Sequence, residues 1–373
     1  MNVLGLDIGG ANIKAADADG RSVSLAFPLW KQKDGLVAAL KSTTQSFESP
    51  DIIALTMTGE LADCFLTKSE GVQHIIQATQ EAFPSTPIRV WMTSGEFAEP
   101  ADAVELTELV AAANWHAMAS WIGNAFPEQS VVLIDMGSTT TDIIPILNGI
   151  PVSQGVNDRD RLQSAELVYT GASRTPVCAI VKSVSLASDT PLQSVVDKSA
   201  SDDRQCMVAA EHFATIADAY VVTGRLQPSP DDSETADGRP LTIDYSLNRL
   251  AHMICCDSTE LESNQIVNIA EQIVAEQFRH LSHSLHRVFD RLNRLTIAED
   301  TSQNVNETVV VVSGSGASSV NEVLDSCTEF AAFKRINLSE MCGPEITAAG
   351  CAFAVARLAQ DRCADDLLIS VPF

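Results

Sequence analysis

The feature that most restricts the fold is a short motif that occurs twice. Leu6-Asp7-Ile8-Gly9 and Ile134-Asp135-Met136-Gly137 each close an apolar run, and their aspartates lie 128 positions apart. In each copy a buried strand runs into a glycine turn and returns, which makes a hairpin with an acid at the strand end. A supersecondary unit repeated in this way predicts an internal duplication, and hence two lobes on one plan. The length of 373 residues agrees, because one hydrophobic core rarely serves so long a chain.

The first copy predicts strands over 3–8, 12–18 and 22–29, with Asp19-Gly20 as the hairpin between the last two. A helix over 35–47 follows, then a strand over 51–57 that ends in Thr58-Gly59-Glu60, a strand over 88–93 and a long helix over 105–126. The second copy restarts with strands over 130–135 and 141–147, closed by Asn148-Gly149. The stretch 151–260 reads as loops and insertions that shape a pocket, with helical pieces over 207–219 and 241–255. Ile266, Ile269, Ile273, Val274, Phe278, Leu281, Leu285, Val288 and Leu292 form one stripe of a helix over 261–295. A strand over 307–312 runs into Ser313-Gly314-Ser315-Gly316, followed by a helix from 317, a strand over 333–338 and a last helix over 345–359. The expected class is α/β. A first lobe spans 1–127 and a second spans 128–344, with a C-terminal helix of 345–373 packed back on the first.

The formal charge of −25 excludes nucleic acid and anionic membranes as partners, because phosphate backbones reward Lys and Arg. An acidic protein that grips an anion must use backbone N–H groups and a bound cation. Nine cysteines are scattered without a CxxC pair, the pattern of reduced thiols, and the first residues lead straight into a strand pattern. A cytoplasmic protein is expected, and no apolar run is long enough for a membrane span.

Three loops carry the chemistry. Gly9, Gly10 and Asn12 form the first turn, and Lys14 follows on the return strand; their amides can approach a phosphate closely, while Asp7 suits Mg²⁺ held through water. The same residues also suit a plain hairpin. Gly137, Ser138, Thr139 and Thr140 offer amides and hydroxyls to a second phosphate, although a hydroxyl-rich turn is otherwise merely solvated. Gly314, Ser315 and Gly316 join a buried strand to a helix, the way a nucleotide or substrate meets a helix N-terminus. Glu60 and Asp63 either begin a helix, where acids suit the dipole, or serve the reaction. His280, His283 and His286 read as a solvated helix face and not as a metal site.

In their order the three loops resemble those of the superfamily of acetate and sugar kinases, Hsp70 and actin. The resemblance covers nearly the whole chain and implies two ribonuclease-H-like lobes with a ligand cleft between them. Thr56-Met57-Thr58-Gly59-Glu60-Leu61-Ala62-Asp63-Cys64-Phe65, Tyr169-Thr170-Gly171-Ala172-Ser173-Arg174-Thr175-Pro176 and Thr235-Ala236-Asp237-Gly238-Arg239-Pro240 are in turn similar to the hydantoinase A/oxoprolinase-related family. They resemble its branch of tetrahydromethanopterin-linked C1-transfer pathway proteins, whose understood archaeal members make the ether bond of methanofuran. The resemblance therefore implies a transferase of one-carbon metabolism. It would join an aminomethylfuran-methyl diphosphate to the phenol of a tyramine or tyrosine derivative and release diphosphate. A scheme for that reaction expects Mg²⁺ near Asp7 and Asp135, a proton acceptor at Glu60 or Asp63, and Arg174, Asp237 and Arg239 to orient the tyramine side or an acidic tail. Kinases of the superfamily usually carry Ser or Thr after the first glycines, whereas this chain has Ala11 and Asn12. One hydroxyl donor is thus missing, which disfavours ATP and favours a phosphorylated small molecule. The other readings are an ATP-dependent small-molecule kinase, a hydantoinase/oxoprolinase-type hydrolase, and a non-enzymatic ligand-binding regulator.

Overall fold

The computed structural model describes residues 1–186, 205–298 and 308–369, with side chains at the C-terminal end described as far as residue 362. Its strands in chain order are β1 (Val3–Ile8), β2 (Asn12–Asp17), β3 (Ser22–Ala26), β4 (Ile52–Met57), β5 (Ile88–Trp91), β6 (Phe97–Ala98), β7 (Ser130–Met136), β8 (Thr141–Leu147), β9 (Ile150–Pro151), β10 (Leu167–Val168), β11 (Ser183–Ser185), β12 (Gln205–Met207), β13 (Val309–Ser313) and β14 (Lys334–Asn337).

The first sheet has the order β3-β2-β1-β4-β5-β6, and the second β10-β8-β7-β13-β14. In both, an antiparallel hairpin, β1–β2 or β7–β8, carries a third strand on its outer edge. Two parallel strands, β4–β5 or β13–β14, extend the other side of its first strand. The duplication visible in the two motifs is therefore a duplication of sheet topology. β1 is buried at all six positions, as its unbroken apolar run requires of a central strand covered on both faces.

The layers follow from what each face must cover. Helices Leu36–Thr44 and Lys68–Ala82 close the outer face of the first sheet around Leu6, Leu55 and Ile75. Helices Asn114–Ala125 and Gly350–Ile369 lie between the two sheets, where Trp115, Met118, Val355 and Leu358 meet Leu133 and Ile144. Contact with the last helix is close: a Cβ on Gly5 would stand 1.9 Å from the Ala352 carbonyl oxygen, so only glycine fits there. The second half of the long helix Ser263–Ala298, together with Ala317–Ser326, covers the far face of the second sheet.

Several elements differ from the sequence reading. The third strand stops at Ala26, because Pro28 has no N–H for the ladder and a short helix begins at Leu29. The helix expected over 105–126 is three pieces, Pro100–Glu105, Thr107–Val110 and Asn114–Ala125, with Ala112 at φ 48° in the last break. Residues 109–113 are continuously apolar and carry no period, so a buried turn and a buried helix look alike in them. The helix expected over 207–219 is Ile216–Val222, started by a capping box between Thr215 and Asp218. The expected last helix divides at Ala349 into Pro344–Ala348 and Gly350–Ile369. The described part of 151–260 is more than loops. It builds its own core, in which Val177, Ile216 and Leu250 pack on Ile269 and Ile273 of the long helix. Residues 187–204 of that stretch, residue 307 of the strand expected over 307–312 and residues 370–373 lie outside the described residues. Among the described residues no helix is long and apolar enough to cross a membrane.

Candidate active site between the two glycine turns

The two turns have one geometry. Gly9 N–H donates to the Asn12 carbonyl at 2.9 Å, and Gly137 N–H donates to the Thr140 carbonyl at 2.9 Å. Each leading glycine thus spends its own amide inside the turn. The amides left for an anion are those of the following residues, Gly10 to Asn12 and Ser138 to Thr140.

Asp7 pairs across β1–β2 with Lys14, and Asp135 pairs across β7–β8 with Asp142. Burial raises the Asp7 carboxyl above its usual range, and the Lys14 charge opposes it. Burial also lifts Asp135, to about 6; the Asp142 charge adds to this, Lys14 opposes it and Asp7 adds again. A single lysine acting on both aspartates puts the two turns within electrostatic range of the same charge. The Cys351 thiol feels the same charges, and burial pushes it well up, so the start of the last helix lies within range of both aspartates.

Glu60 follows β4 and is almost wholly buried, with 2% of its surface exposed. Burial pushes its carboxyl up to about 7, its own backbone hydrogen bond opposes, and the charges of Asp158 and Asp7 lift it further against Lys68. Asp7 Oδ1, Thr56 Oγ1 and Glu60 Oε2 are buried without a hydrogen-bond partner among the described residues. Thr58 and Gly59 donate their amides to the Ile8 carbonyl, which fixes the β4 loop beside the first turn. Asp63 is exposed, so two carboxylates three residues apart in sequence have different surroundings. Neither begins a helix: the next one starts at Lys68, capped by Thr67.

The third loop is pressed onto the second turn. Gly316 N–H donates to the Met136 carbonyl at 2.9 Å. Gly314 has φ +86°, and a Cβ there would stand 2.3 Å from the Met136 oxygen and 2.7 Å from Asp135 Oδ1. The segment around Arg174 is bound to the same turn, since the amides of Ser173 and Arg174 both donate to the Ser138 carbonyl while the Arg174 side chain stays exposed. Asp237 and Arg239 are engaged elsewhere. Asp237 accepts from the buried Arg249 at 2.9 Å and from the Arg239 amide at 3.1 Å, and Arg249 also pairs with the buried Asp218 at 2.7 Å.

Sequence reasoning passed over Arg161. It is 1% exposed, donates to Asp142 at 2.5 Å and lies 4.1 Å over the Trp115 ring. A run such as Asp158-Arg159-Asp160-Arg161 reads as a solvated face, and only the packing against Trp115 distinguishes its last member. Burial and the Arg161 charge drive His116 down to about 4, so that imidazole is neutral near pH 7.

The chemistry of Asp7 and Asp135 suits a hard cation. Among the described residues no point gathers three or more His, Cys, Asp or Glu side chains, which argues against an all-protein cage. Mg²⁺ characteristically takes one or two carboxylates and completes its shell with water and substrate phosphate. Asp7, with a buried oxygen that meets no donor, and Asp135 suit that pattern.

The sequence profile of hydantoinase/oxoprolinase matches residues 51–361. The chain belongs to the hydantoinase/oxoprolinase family. This family member is 30% identical over 363 residues to the (4-{4-[2-(gamma-L-glutamylamino)ethyl]phenoxymethyl}furan-2-yl)methanamine synthase of Methanocaldococcus jannaschii, covering 96% of this chain and 98% of the other. It is 26% identical over 235 residues to the protein of the same name from Methanococcus vannielii, covering 63% and 93%. Among solved structures it is similar to acetone carboxylase in its nucleotide-free form, with a TM-score of 0.50 and 12% identity, covering 95% of this chain and 70% of that one. That likeness bears on the fold alone. The twice-used strand order and that likeness agree with the two-sheet α/β fold expected from the sequence.

Proposed function

We propose that this protein is a transferase that joins an aminomethylfuran-methyl diphosphate to the phenol of a tyramine or tyrosine derivative and releases diphosphate. The observation that carries the reading is Glu60, a buried carboxyl with an oxygen that meets no donor among the described residues, raised to about 7 and within range of the Asp7 charge at the first phosphate-type turn. The nearly full-length match to a named synthase supports the substrate class.

The carbon–oxygen bond between the furfuryl methylene and the diphosphate breaks, and its electron pair leaves with the diphosphate. The phenol oxygen forms the new ether bond to that methylene, and its proton passes to Glu60. A carboxyl that titrates near 7 is matched to this task at neutral pH. The amides of Gly10 to Asn12 and of Ser138 to Thr140 and the Lys14 ammonium orient the diphosphate and spread its charge. Asp7 and Asp135 would hold Mg²⁺, which when bound supplies further neutralisation of the leaving group.

The test is thermal stabilisation by pyrophosphate and by ATP, each with and without Mg²⁺, joined to single-turnover ether formation. Pyrophosphate with Mg²⁺ should stabilise the protein through mass action on the folded state. Asp7→Asn should lose that stabilisation, and ether formation should collapse in Glu60→Gln. Full single-turnover rates in both variants would remove the scheme. A nucleotide-dependent reading is favoured by one observation, the Gly314–Gly316 loop seated on Asp135 and Met136, and stabilisation by ATP but not by pyrophosphate would select it.

A further inference from the structure

A pocket distinct from the two glycine turns opens beside the long helix. It has a volume of about 360 Å³ and lies between the long helix and the segment from Leu162 to Ile180. One wall is basic: Arg279, His280, His283 and Arg287 line it, at spacings that put 279, 283 and 287 on successive turns of one helix face. The facing wall is apolar and partly bare, with Leu162 at 47% and Tyr169 at 67% exposed beside Ile180. The buried hydroxyls of Thr170, Thr175 and Ser284 form its base.

The charge of this wall is unusual in a chain of net charge −25. Glu276 answers Arg279 at 2.5 Å and His280 at 3.0 Å. Arg287 donates to the Gln163 carbonyl at 3.0 Å, and among the described residues no carboxylate pairs with it. His286, on the neighbouring face, is occupied by Glu329 and the Ser282 carbonyl and takes no part. His283 is exposed and His280 half-exposed, in line with a solvated face; both also line the open cavity, while His286 closes onto the chain after Ser326.

The base of the pocket is tied together by hydrogen bonds. Gln277, buried among the apolar stripe, donates to Thr170 Oγ1 and to the Gly171 carbonyl at 2.8 Å each and accepts from the Tyr220 hydroxyl at 2.6 Å. Thr141 Oγ1 donates to the Thr170 carbonyl, and the Ala172 amide to the Gly137 carbonyl, so the pocket backs directly on the second turn. A preformed cavity with one basic wall and one apolar wall recognises a molecule with an acid at one end and a flat apolar body.

We propose that this pocket is a second small-molecule site, for an aryl carboxylate or aryl phosphate. The acid end meets Arg287 and His283, and the ring lies against Tyr169 and Leu162. The proposal does not rest on the transferase reading, because its test reads binding alone. The full chain is titrated calorimetrically with p-hydroxyphenylpropionate, with phenyl phosphate and with the uncharged p-hydroxyphenylpropionamide. The expected result is saturable binding of at least one acid and none of the amide, with affinity falling about tenfold or more in Arg287→Gln and in His283→Gln. Both side chains are exposed, so both variants should fold, and Tyr169→Ala gives an independent third variant at the opposite wall. Whichever acid binds more tightly identifies the end group. No binding of either acid to the parent protein, or binding that all three variants leave unchanged, would overturn the proposal.

Discussion

Glu60 shows how much a single residue's role depends on its surroundings. Its folded-state carboxyl titrates at about 7 against an ordinary 4.5. The active form of a base is the carboxylate, so single-turnover activity should rise with pH through about 7. Glu60→Gln should lower that rate about 10²–10⁴-fold and flatten the profile. A raised carboxyl pKa also has a sign for stability. The folded state binds the proton more tightly than the unfolded chain, so stability is full below 4.5 and declines as pH climbs through about 7. Glu60→Gln should therefore melt higher than the parent at pH 8 and close to it at pH 4, measured by thermal denaturation. Arg161 argues in the opposite sense. Arg161→Met would leave Asp142 without its partner next to the buried Asp135, and removing one member of a buried pair costs about 3–5 kcal/mol. Urea unfolding should show a loss of that order, and Asp142→Asn in the same chain should restore part of it.

At the scale of elements, close approaches of backbone matter more than helix or strand preference. Gly314→Ala would put a Cβ 2.3 Å from the Met136 oxygen at a residue with φ +86°. The third loop would have to leave the second turn, so the variant should keep a cooperative melt while losing much of the stabilisation by Mg²⁺ and pyrophosphate. Unchanged stabilisation would show that the loop's seat is irrelevant to the grip. Periodic and capped elements were legible from sequence. The stripe from Ile266 to Leu292 is buried along one helix, apart from the half-buried Phe278, and Thr215 with Asp218 was a readable capping box that the broader helix assignment obscured. Residues 109–113 were not legible, because an unbroken apolar run signals burial and says nothing of backbone shape.

At the scale of the whole molecule, the last helix holds the two sheets to one another. It packs on β1 and shares a core with Leu133 and Ile144 of the second sheet. Ending the chain before Gly350 would uncover apolar faces of both sheets at once. The shortened protein should lose its cooperative thermal transition and aggregate, as judged by light scattering, and a stable soluble monomer would contradict this account of the core.

The sequence by itself determined the duplicated plan. Strand, glycine turn and return strand are specified by neighbours a few residues apart, so Asp7 and Asp135 announce two equivalent hairpins without reference to the rest of the chain. Only the tertiary structure decided what surrounds them. Desolvation and charge at a carboxyl depend on groups that are distant in sequence. Burial holds Glu60 near 7 while leaving Asp63 in solvent, Lys14 acts on aspartates from both hairpins, and the buried Arg249 engages Asp237, which the motif alone had suggested for a substrate.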